Sequence, residues 1–300
     1  MFLGLFTIVP VLLVLLIVVI ARRRQTTRLK WAEIGTIIDR SLRAYRRNLV
    51  PLLALAAICA PIGVFTYGSI LSLFLDGSIF GPRFRPEAWL DMAVRIGTIF
   101  LLVMGSLGLG KTLLACGVAQ AIYDDATGQP VGLGRMLSQQ PWNATLGLML
   151  RMIVPSLINA LLGYIGALLT LSWRVVPTAL IFERLGARDA VRQGRELVKP
   201  CRVQLADALI PLWLIGWLIA GAPLLGGFLL LNLLFDLSLE MTAALTLIGG
   251  ILGNIFVAPL MALGATQFYL YVRERSLEQA VQRFTASGDA LPGMGSETSL

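Results

Sequence analysis

The 300-residue sequence predicts an all-α fold, a polytopic transmembrane bundle of about seven spans with amphipathic interfacial helices between pairs of spans. Three observations lead there. Hydrophobic residues make up 57% of the chain and charged residues 14%, where soluble domains hold about 45–50% and about 25%. The apolar excess falls in long runs, and the Arg and Lys behind the net charge of +8 stand at the ends of those runs. That is the placement of the positive-inside rule, and it argues against nucleic acid as a partner. Two short stretches, Trp31–Asn48 and Ala187–Lys199, carry apolar residues on one helical face and basic ones on the other, the pattern of a helix lying in a membrane interface.

Met1 to Ala21 is one apolar run closed by Arg22, Arg23 and Arg24. It lacks a basic region before it and a small-residue cleavage site after it, so residues 1–24 read as a single-span anchor and not a signal peptide. Residues 25–284 read as a six-span membrane domain. It opens on Trp31–Asn48, with Ile34, Ile37, Ile38, Leu42 and Tyr45 on the apolar face and Arg40, Arg43 and Arg47 on the wet one. Leu49–Leu75 runs outward, Asp76–Asp91 is a loop, and Met92–Tyr123 returns. Asp124–Pro130 is a turn, followed by a short amphipathic piece, Val131–Gln140.

Asn143–Phe182 has the length of two short spans, with the hairpin expected at Gly163 and Gly166; one long helix plus a re-entrant piece is the alternative. The stretch from Arg184 to Arg202 then holds the second basic helix, with Arg188, Arg192 and Arg195 outward. Val203–Leu234 and Thr242–Tyr271 make the last pair of spans around a loop at Phe235–Met241, and Arg273–Phe284 continues as a basic helix. Residues 285–300 read as a disordered tail. The basic segments all fall on one side, so the N-terminus is expected outside and the C-terminus inside a prokaryotic cytoplasmic membrane.

The residue inventory excludes several chemistries. There is no histidine, which removes His-based acid–base and nucleophile-activating sites. The three cysteines, Cys59, Cys116 and Cys201, have no zinc spacing. Gly105 to Thr112 matches G-x-x-x-x-G-K-[ST], but it lies inside an apolar run with no strand before it. No nucleotide is therefore expected there, nor any other cofactor or metal. Lys111, Arg174, Glu183 and Asp207 are the intramembrane polar residues, and Lys111 is expected to find Glu183 or Asp207 as its partner. The exposed arginines Arg40, Arg43, Arg47, Arg188, Arg192 and Arg195 are the candidate contacts to anionic headgroups.

Three stretches carry a family resemblance. Trp31-Ala-Glu-Ile34 through Asn48, then Pro177 with Glu183, Leu185-Gly186-Ala187 and Ala190-Val191, and finally Pro259 to Tyr269 with Arg273 and Arg275, resemble the signatures of the membrane domain named after glycerophosphoryl diester phosphodiesterase. The match covers about residues 31–284. It departs at Arg192-Gln193-Gly194, where the family has Arg-Ser-Trp. The resemblance implies a helical fold with interfacial helices. It does not imply phosphodiesterase activity, because the soluble catalytic domain of that name is not among these residues.

Two function classes stay open. One is a non-catalytic accessory or scaffold subunit that binds lipids and partner membrane proteins. The other is a permease or lipid-handling transporter with a polar path through the bundle. Few ionisable residues within the apolar runs favour the first.

Overall fold

The structure, a computed structural model, describes residues 31–59, 109–221, 226–227, 230–231, 234–235 and 239–287. The expected N-terminal span, the Asp76–Asp91 loop, the first half of the Gly105–Thr112 string and the tail from 288 lie outside these residues. The described chain is all-helical, with no strand. Two helical runs, Ala187–Ile219 and Leu252–Gln279, are long and apolar enough to cross a membrane.

The first amphipathic helix, α1, covers Trp31–Arg47, and the apolar α2, Leu49–Cys59, follows it directly. Helix α3 covers 109–126 and ends in a turn at Gly128, whose φ of +71° suits a residue without a Cβ. A short α4, Leu133–Ser138, leads into α5, Trp142–Leu169. After a 3-10 turn, Leu171–Val175, come α6, Val176–Phe182, and the basic α7, Ala187–Val198. A second 3-10 turn, Lys199–Cys201, joins α7 to α8, Arg202–Gly216, which ends in a π-turn, Trp217–Gly221. The last helix, α9, runs unbroken from Leu239 to Ser287.

Helix α5 corrects one expectation. The chain does not turn at Gly163 and Gly166, because both lie inside its 28 residues. A glycine costs a helix only about 1 kcal/mol relative to alanine. Breaking the backbone ladder in apolar surroundings costs several times more. The turn comes instead at Thr170–Val175, where Pro177 opens α6 as a proline at a helix start, a position that needs no N–H. The returning piece, Leu171–Phe182, is a shorter apolar helix of 12 residues. Near the start of α5, a Cβ on Gly147 would lie 3.2 Å from the Ala187 Cβ, so the chain has come back to the end it left.

Helix α9 is the axis of the assembly. At 49 residues it includes Leu239–Met241 of the expected loop and extends three residues into the expected tail. At about 1.5 Å per residue it measures roughly 74 Å, over twice the hydrocarbon core. It touches α1, α6, α7 and α8. Against α8 the approach is close: a Cβ on Gly264 would stand 2.4 Å from Leu212 Cδ1 and 2.9 Å from Leu209 Cδ2. Helices packed in lipid gain contact by such small residues. On the other side, Tyr45 of α1 donates its hydroxyl to the Phe256 carbonyl at 3.0 Å. That carbonyl precedes Pro259, where the missing N–H interrupts the ladder. Burial pushes the Tyr45 phenol up to about 12, so it stays a neutral donor.

The two amphipathic helices spend their apolar faces on the protein. Ile34 and Ile37 of α1, and Ala190 and Val198 of α7, are buried in one core with Leu180, Leu205, Leu209 and Phe268. Gly194 of α7 faces the Val176 backbone, with 3.3 Å left for a Cβ. These helices thus cap the bundle and do not lay their apolar faces in acyl chains, which corrects the simplest interfacial picture. Their arginines remain outside.

Candidate functional site

At the charged end, a single carboxylate gathers three helices. Glu183 closes α6, and Arg184 after it takes a left-handed φ of +51° that turns the chain toward α7. The Glu183 side chain is only 10% exposed. Tyr269 of α9 donates its hydroxyl to one carboxylate oxygen, and Gln193 of α7 donates its amide to the other. Arg273, one turn beyond Tyr269, approaches the first oxygen at 3.2 Å. A half-buried carboxylate needs this many partners, because each unsatisfied lone pair there costs free energy. One turn deeper, buried Thr178 and Thr266 hydroxyls meet at 3.1 Å and continue the α6–α9 seam.

A second tie runs parallel to the first. Arg275 of α9 donates to both oxygens of Glu33 in α1, at 3.0 and 3.1 Å. The three stretches that carry the family resemblance therefore meet here, through Glu33, Glu183, Tyr269, Arg273 and Arg275. A third tie, Arg47 to Asp125 at 3.1 Å, joins α1 to the end of α3. Beside it Asp124 is buried, accepting from Gln120 at 2.8 Å with Arg135 at 3.8 Å.

The predicted headgroup contacts are all on the surface: Arg40, Arg43, Arg47, Arg188, Arg192 and Arg195 are exposed. Some have local acidic neighbours, Arg43 with Asp39 at 2.8 Å and Arg192 with Asp189 at 3.5 Å. Exposed pairs of this kind contribute about 0–1 kcal/mol and leave the charge available. Arg195 is different, since its guanidinium lies 5.2 Å from the centre of the Trp173 ring, a cation–π contact.

The intramembrane polar residues do not group as expected. Glu183 is taken by Tyr269, Gln193 and Arg273, so it does not pair with Lys111. Asp207 is buried in α8. The charge acting on Lys111 is Arg174, a like charge, and not Asp207. Tyr269, Arg273 and Gln193 escaped sequence reasoning. The available signal was an aromatic and a cation at the polar end of one apolar run, level with an acid at the end of another. No family model, curated protein or solved structure matches this chain.

Proposed function

We propose that the chain is a multi-pass protein of a prokaryotic cytoplasmic membrane, acting as a non-catalytic accessory or scaffold subunit. Its basic end faces the cytoplasm, binds anionic lipid and holds partner membrane proteins in register. The observation that carries this reading is the arrangement of α1 and α7. Both lock their apolar faces into the core and hold their arginines outward, on elements fixed by Glu33–Arg275 and Glu183–Arg273. A rigid basic layer beside an apolar bundle suits a charged leaflet surface. About seven spans and the resemblance to the phosphodiesterase-associated membrane domain belong to the same proposal. So does the absence of nucleotide, nucleic acid or other cofactor from its working state.

Changing Arg40, Arg43, Arg188 and Arg192 together to glutamine tests it. Each basic residue near an anionic leaflet contributes about 1 kcal/mol. Native mass spectrometry of protein released gently from membranes should then show most of the retained phosphatidylglycerol lost. Unchanged retention would refute the lipid-binding role.

A further inference from the structure

We infer that Lys111 and Arg174 form a binding site for a phosphomonoester-type anion inside the bundle, approached from the charged end past Arg195 and Trp173. Helix α3 and the 3-10 turn share one core, in which Cys116 and Ala119 lie with Leu171 and Val175. Lys111 rises from this contact on α3 and Arg174 from the turn, and the two cations are close enough to repel. Both side chains open to accessible space, Lys111 fully and Arg174 partly. Among the described residues no carboxylate forms an ion pair with either. Lys111 is thirteen residues before Asp124, so it stands about 20 Å along α3 from the charged end, well inside a ~30 Å core.

Two like charges facing one space in apolar surroundings are costly unless an anion joins them. The pair supplies two positive charges, one on a compact ammonium and one on a planar fork that suits phosphate oxygens. A phosphomonoester carries about −1.5 to −2 at neutral pH and matches that sum, where a diester or a carboxylate carries one charge only. An approach also exists. Arg195 is exposed, stacks on Trp173 and lies within electrostatic reach of Arg202. Arg174 follows Trp173 directly, so basic groups lead from the surface to Lys111. The anion is either the headgroup of phosphatidic acid or free phosphate, since both present the same oxygens. This site does not depend on lipid binding at the outer helices.

Thermal unfolding of the delipidated, detergent-solubilised protein tests the site, with phosphatidic acid, inorganic phosphate and phosphatidylglycerol as separate probes. The wild type should be stabilised by one of the first two more than by phosphatidylglycerol, and which one identifies the source. Lys111→Gln and Arg174→Gln should each raise the ligand-free unfolding temperature by removing repulsion. Each should also weaken the anion about tenfold or more, as loss of one charge-assisted hydrogen bond predicts. Lys111→Arg should keep binding. The variant lacking Arg40, Arg43, Arg188 and Arg192 should lose phosphatidylglycerol and keep this anion. Ligand-free variants that melt below the wild type would make the pair a structural support and overturn the site. Equal responses of wild type and glutamine variants to both phosphate probes, including no response, would overturn it as well.

Discussion

Replacing Glu183 with alanine destabilises the folded protein by about 3 kcal/mol, the largest effect expected from any single polar side chain at the charged end. The carboxylate is 10% exposed and the Arg273 partner 39% exposed. Solvent therefore screens part of the ion pair, and its loss alone would cost less than breaking a fully buried one. The remainder comes from the partners left behind. The Tyr269 hydroxyl belongs to a fully buried residue and has no water to turn to. Gln193 loses its acceptor on α7 at the same time. Glu183→Gln should cost less, because an amide oxygen still accepts from Tyr269, while the attraction to Arg273 is lost. Unfolding followed by near-ultraviolet circular dichroism in detergent measures both. An alanine variant as stable as the wild type would remove Glu183 from the centre of the fold.

Replacing Gly264 with leucine abolishes the native packing of α8 on α9. A Cβ alone already falls 2.4 Å from Leu212 and 2.9 Å from Leu209. Those two leucines are 0% and 2% exposed, so neither can swing into free space. Overpacking by a methyl group typically costs about 1–3 kcal/mol, and Gly264→Ala should fall in that range. Leucine adds three further carbons to the same filled volume. The expected result is loss of monodisperse protein on size exclusion for Gly264→Leu and a lowered unfolding temperature for Gly264→Ala. Wild-type behaviour of the leucine variant would mean that α8 and α9 are not packed face to face at this point.

These two residues mark what the sequence discloses and what it withholds. Helices α1 and α7 are legible in it because their faces differ in polarity with a helical period, and burial of Ile34, Ile37, Ala190 and Val198 follows those faces. The apolar runs behind α8 and α9 are legible because each is nearly free of charge over the length a membrane needs. The turn after α5 is not, because in apolar surroundings a glycine pair no longer stops a helix, and the proline that starts the next one does. Nor is the partner of Glu183. Charge complementarity admits Lys111 or Arg273 equally, and only the packing of α6 on α9, through Thr178 and Thr266, decides for Arg273. The closeness of Lys111 to Arg174 is hidden for the same reason, since the 3-10 turn that brings them together depends on where α5 ends.

The central claim is that α1 and α7 form one basic layer on the cytoplasmic side, held by α9. Single cysteines at Arg43 and Arg192, both exposed, test it most directly, because the native Cys59, Cys116 and Cys201 are buried. The measurement is reaction with a membrane-impermeant maleimide in intact cells and in inside-out vesicles. The account predicts labelling of both positions in inverted vesicles and of neither in intact cells. Labelling of either from outside, or of the two from opposite sides, would contradict it.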